Sequence, residues 1–187
     1  MKGYIYSMYQ GADPGLGWIL TDPIFGKPPT LGACMPNIRR LVERGDHIFV
    51  ISGRSPGVQQ YIVGGFQVAA KIDALAAYRR FPQNRMGKDE QGNLLGNVIT
   101  DASGNQIPFD YHSNFAKRVE NYIVGERQKV VARDEAIARA RRETLPLLRK
   151  MFDRKGATVG DVIGRWRRLD AQQIDDLRGW IDDVNRR

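Results

Sequence analysis

The 187-residue sequence predicts an α+β fold. We expect a small mixed β-barrel over residues 1–133 and a helical C-terminal extension over residues 134–187. Two observations carry that expectation. Residues rich in Ile, Val, Tyr and Phe gather in short runs before residue 133, bounded by Gly, Pro and Asp. From Asp134 onward the apolar spacing becomes helical.

Residues 2–9 read as the first strand. The stretch from Thr30 to Ile72 reads as one unit, TLGACMPNIRRLVERGDHIFVISGRSPGVQQYIVGGFQVAAKI. It holds a short helix opened by Pro36 and closed at Gly45, then a strand over 47–52. A polar loop follows, then a strand over 61–72. That loop, residues 52–60, is expected over the barrel mouth, where small barrels hold a flat ligand. Gly64-Gly65 suggests a bulge or a close backbone approach. Residues 81–96 are polar and read as a mobile excursion. Residues 97–100 and 106–109 flank the hairpin turn Asp101-Ala-Ser-Gly-Asn105.

The helical part begins at Asp134 and runs to Asp153, with Pro146 either kinking it or opening a second segment capped by Thr144. Thr158 with Asp161 forms the next cap. Val159, Val162, Ile163, Trp166 and Leu169 are expected on one helical face. Asp170 with Gln173 repeats the signature ahead of Ile174, Leu177, Ile181 and Val184.

Composition narrows the function classes. No apolar run approaches the ~20 residues of a membrane span, and the N-terminus has no signal-peptide core. The lone cysteine, Cys34, leaves no internal disulfide and fits a reducing cytoplasm. The net charge is +8. Residues 117–168 alone carry 15 Lys/Arg against 7 Asp/Glu, so the excess sits in one central stretch. Grouped cations make a phosphate-contacting footprint, here Arg139, Arg141, Arg142 and Arg149. A solvated helix face is the plainer alternative.

The sequence offers little catalytic chemistry. One cysteine and two distant histidines, His47 and His112, supply no metal-ligand spacing, and no cofactor motif is present. The loop from Gly11 to Gly17 lacks the ending of a phosphate-binding P-loop. Cys34, beside a helix N-terminus, is a candidate nucleophile. Asp13 and Asp22 are weak catalytic candidates beside it.

Three ordered motifs carry a family resemblance: Asp22-Pro-Ile-Phe25-Gly26, Thr30-Leu-Gly-Ala-Cys34-Met-Pro36-Asn-Ile-Arg39 and Gly45-Asp-His-Ile48. Together with Tyr111-His-Ser-Asn-Phe115 and Tyr122-Ile-Val-Gly125, they resemble the nucleotide modification associated domain proteins. The sequence departs from that pattern at Gly32 and at Met35, where the pattern has Lys. The resemblance implies a PUA-like fold, similar to EVE, ASCH and YTH domains, holding a modified or flipped base in an aromatic-lined mouth.

The residues support such a ligand independently, since a flat base needs aromatic faces and a few fixed edge partners. Trp18, Phe25, Tyr61, Phe109, Tyr111 and Phe115 lie near loops or strand ends. Ser52, Arg54, Gln59, Gln60 and Asn114 can read a base edge. Gly53 lets the backbone approach a ligand. Trp18 is expected to stack on the base while residues 52–54 donate to its edge. Arg39, matching the family-like motif, is expected toward the helix flank, bracing the pocket or meeting a phosphate.

The expected function is recognition of a modified base in DNA, RNA or a nucleotide, in the cytoplasm, without membrane or cofactor. The alternatives are an enzyme acting on a nucleobase or nucleotide, and homodimerisation through the C-terminal helices.

Overall fold

A computed structural model describes residues 1–186. In chain order its strands and helices are β1 (Gly3–Ser7), β2 (Thr30–Leu31), α1 (Pro36–Leu41), β3 (His47–Ile51), β4 (Ile62–Ile72), α2 (Ala74–Arg80), β5 (Gly87–Lys88), β6 (Leu94–Leu95), α3 (Phe115–Val119), β7 (Tyr122–Val130), α4 (Asp134–Phe152), α5 (Val159–Ile163), β8 (Trp166–Leu169) and α6 (Ala171–Arg186).

The fold is α+β, but the sheet is open and not a closed barrel. Its order is β2-β7-β4-β3-β1-β8. Only the β1–β3 pair of the registered pairs is parallel; β8 runs antiparallel to β1. The free edge of β1 is taken by a strand from the C-terminal stretch, and β2 at the opposite edge is two residues long. The sheet therefore ends at each side on a short strand. Among the described residues no helix is long and apolar enough to cross a membrane.

The chain packs as two compact units. The first comprises residues 1–18, 46–67 and 127 onward; the second comprises residues 19–45 and 68–126. The C-terminal helices thus share a unit with β1 and β3.

In the first unit, α4 is one continuous helix. Asp134 and Glu135 in its first turn and Arg149 and Lys150 in its last complement the helix dipole. Pro146 sits inside it without ending it. Thr144 does not cap a second segment. It is fully buried, and its Oγ1 accepts from the Ile62 N–H at 3.1 Å, tying helix to strand.

The helix after Thr158 is shorter than its apolar spacing suggests. The Thr158–Asp161 capping box forms, but α5 stops at Gly164 (φ 67°), and Trp166–Leu169 extends as β8. Hydrogen bonding to β1 outweighs the helical spacing of Trp166 and Leu169. In α6, Asp170 and Gln173 bond reciprocally, and Ile174, Leu177, Ile181 and Val184 are all fully buried. The register between β3 and β4 shifts at Val50/Ile51, opposite the Gly64-Gly65 pair where a bulge is expected.

In the second unit, Ala77, Phe81, Val98, Tyr122 and Val124 form a core cluster. Asp73 caps α2 by accepting from the Ala76 N–H. Residues 81–96 are not a structureless excursion. They hold a 3-10 turn over Pro82–Asn84 and the β5–β6 hairpin, whose turn is organised by the Asp89 carboxylate. The 101–105 turn forms the same way around Asp101, with a single bridge, Thr100 to Gln106, closing it.

Candidate functional site

In the first unit the loops over residues 9–18 and 52–60 meet. The Gly53 N–H donates to Ala12 O at 2.6 Å and the Gly11 N–H donates to Arg54 O at 2.9 Å. A Cβ on Gly53 would lie 1.9 Å from Tyr9 O, so only glycine lets the loops approach this closely. Ser52 is fully buried and braces the loop, its Oγ accepting from the Tyr61 N–H. Asp13 starts the 3-10 turn Pro14–Leu16 by accepting from the Gly15 N–H.

Beside this junction lies a cavity of about 720 Å³, lined by Gln10, residues 54–60, Ala157, Thr158 and Val159. Its volume falls in the range of small-molecule sites. The lining mixes carboxamides with the apolar faces of Pro56, Val58 and Val159 and one guanidinium, that of exposed Arg54. Arg54 contributes, after the larger effect of the Thr158 hydroxyl and N–H, to holding the Asp161 carboxyl below its usual range. Ser55 is 8% exposed, and among the described residues its Oγ has no hydrogen-bond partner. Such an orphaned hydroxyl is costly unless something else satisfies it.

A second groove of about 650 Å³ shares Ala157 with the first cavity. Arg149, Lys150, Arg154 and Lys155 line it, with Asp153 the single carboxylate. Arg149 donates to Gly156 O and Arg154 donates to Val162 O, while both side chains remain exposed.

The residues expected at a binding site divide between the units. Trp18, Ser52, Gly53, Arg54 and Gln60 belong to the first; Phe25, Tyr111, Asn114 and Arg39 belong to the second. Trp18 is 43% exposed and stands edge-on to Tyr9, itself 58% exposed, with ring centroids 5.5 Å apart. Trp18 does not line the cavity. Tyr61 is fully buried and carries the Arg141 guanidinium over its ring at 4.9 Å. Burial, then the Asp13 charge, pushes its phenol up to about 12. Tyr111 is 82% exposed, and Asn114 precedes α3 in the left-handed region at φ 59°. Phe25 and Phe115 are half-buried, and Lys88 lies over the Phe109 ring at 5.2 Å.

The basic stretch is less free than its composition suggests. Arg141 makes a two-pronged pair with buried Asp13, both contacts at 2.9 Å, and also donates to Gln59 O. Arg139 is held by Glu143 and Asp183. Arg142 is exposed, with one bond back to Ala138 O within its own helix. The residues that sequence reasoning missed are Gln10, Ser55, Arg154 and Lys155. Thr158 reads in sequence as a helix cap, and nothing local marks its neighbours as a cavity wall.

In the second unit, Asp22 accepts from the N–H groups of Gly32, Ala33 and Cys34 and from Asn97 Nδ2. Arg39 does not face solvent. It is fully buried and donates to the carbonyls of Ala33, Cys34, Arg118 and Asn121. Burial, reinforced by the Asp22 charge, pushes the Cys34 thiol far above its ordinary range, so it stays protonated. His112 Nδ1 lies 2.5 Å from Asp110 Oδ1, giving this histidine an orienting carboxylate. Gln106 donates to the same carboxylate at 2.7 Å. Among the described residues no group of three or more His, Cys, Asp or Glu is placed to hold a metal ion.

Neither a scan against models of known protein families nor a search of curated proteins finds a match to this chain.

Proposed function

We propose that the chain binds nucleic acid or a nucleotide, seating a modified base in the cavity beside residues 54–60 while the adjoining basic groove meets phosphates. One observation carries this reading: an amide-lined cavity shares its Ala157 wall with a groove bearing four cations. A base needs flat apolar faces and polar edge partners, and its phosphates need cations alongside. The exposed Tyr9–Trp18 pair offers a stacking surface for a neighbouring base. Arg54, Arg142, Arg149, Lys150, Arg154 and Lys155 are the phosphate contacts. We extend the reading to kinship with the PUA-like nucleotide modification associated proteins, on the ordered motifs around Cys34, and to a cytoplasmic location, in keeping with its free thiol.

Salt dependence tests it. Affinity for a labelled single-stranded oligonucleotide, followed by anisotropy, should fall steeply as salt rises, and Lys150→Glu with Lys155→Glu should lower that slope by about two. Binding that ignores salt would overturn the reading.

A second reading, an enzyme acting on a nucleobase or nucleotide, draws on His112. With Nδ1 held by Asp110, its Nε2 is oriented for proton transfer. Turnover of any nucleotide substrate that survives in His112→Gln would remove it.

A further inference from the structure

Gln60 lines the cavity beside Ser55, and its carboxamide cannot turn over. Nε2 donates to Ser7 Oγ and to the Ser52 carbonyl, each at 2.7 Å. A carbonyl only accepts, so the amide nitrogen must face Ser52; the flipped amide would set two acceptors against each other. Both amide protons are therefore spent on the protein. Among the described residues Oε1 has no partner, and it is the one group of this side chain left for a ligand.

We propose that Gln60 is the specificity-determining residue of this cavity: its fixed Oε1 selects a base that donates from an exocyclic amine, as cytosine does at C4, over one that presents a keto oxygen there, as uracil does. The proposal rests on the nucleic-acid reading above. A keto oxygen against Oε1 leaves two acceptors facing with no proton between them, whereas an amine completes the bond. The Ser55 hydroxyl does not supply this selectivity, because its Oγ is buried and a hydroxyl can turn to donate or to accept. Discrimination therefore falls to the group that cannot adapt.

The test compares oligomers of roughly ten nucleotides, within the span of a single-strand site. Labelled oligo-deoxycytidylate and oligo-deoxyuridylate share a backbone and differ at the base edge. At slightly alkaline pH, where the cytosine oligomer stays unpaired, wild type should bind it roughly 5- to 150-fold more tightly. Gln60→Met should bring the ratio to about one by weakening deoxycytidylate binding rather than by weakening both oligomers alike, which separates a reading role from a packing role. Equal affinity for the two oligomers, or preference for deoxyuridylate, overturns the Gln60 assignment on wild-type protein alone, whether or not the variant folds. If both bind with a steep salt slope but equally, the nucleic-acid reading stands and only this assignment falls. If neither binds at low salt, both fall.

Discussion

The Asp22–Arg39 network and the cavity beside residues 54–60 are both polar, yet they differ in how their polar groups are satisfied. In the network the two charged side chains are saturated. Asp22 takes four N–H groups and Arg39 reaches four carbonyls. Tyr122 donates to Asn97 Oδ1, and Asn84 donates to the Tyr122 hydroxyl. At the cavity, Ser55 Oγ has no partner among the described residues, and Gln60 is bonded to the protein through Nε2. A saturated cluster holds a fold together, because removing a member orphans buried partners. An unsaturated one has capacity left for a ligand. The same distinction sorts the arginines: Arg39 and Arg141 are structural by their partners, whereas Arg54 and Arg142 face solvent.

The largest effect should come from Arg141. Asp13 is fully buried, so Arg141→Ala leaves an unpaired internal carboxylate and should cost about 3–5 kcal/mol in chemical denaturation. Arg142→Ala, one residue on, should stay within about 0.5 kcal/mol of wild type and change only the binding of polyanions. Similar losses for the two would erase the distinction between saturated and free cations.

Arg39→Ala comes next. Four carbonyls lose a donor at a buried position, of which Ala33 O keeps the one from Arg118, and we expect about 3 kcal/mol of destabilisation, read as a lower denaturant midpoint. An unchanged midpoint with weakened nucleic-acid binding would instead make Arg39 a phosphate contact.

His47 gives a pH test within the first unit. Burial, with Arg178 beside it, lowers its imidazole from 6.5 to about 4. The folded state thus disfavours the charged form, and the unfolded chain takes up the proton first. The stabilisation is complete above pH 6.5 and drains away as pH falls toward 4. It should amount to about 3 kcal/mol, visible as the difference between the pH–stability curves of wild type and His47→Asn. Parallel curves would show that His47 titrates alike folded and unfolded.

The smallest effect belongs to Trp18. Its exposed edge-on contact with Tyr9 makes Trp18→Ala cost no more than about 1.5 kcal/mol of stability. Oligonucleotide affinity should fall roughly ten-fold if the ring stacks on a base. Affinity held at the wild-type level would confine recognition to the cavity.

By itself the sequence determined what depends on near neighbours. The runs that become β1, β3 and β4 are short, β-branched and bounded by turn residues. The caps at Thr158 and Asp170 close within three residues, so their letters suffice to place them. The Asp101 turn is local in the same way. The tertiary structure decided the rest, because the deciding partners lie far along the chain. Residues 166–169 form a strand only because the free edge of β1 supplies their hydrogen bonds. Asp13 and Arg141 lie 128 positions apart, and no spacing rule reveals that one neutralises the other. Arg39 looks like a flank residue until residues 118 and 121 supply carbonyls that make its burial tolerable. The cavity follows the same logic. Gln60 is one glutamine among several until Ser7 and Ser52, brought to it by the fold, fix which of its atoms faces out. Periodicity and capping are short-range properties of the backbone, whereas burial and charge pairing depend on which distant segments the fold brings together.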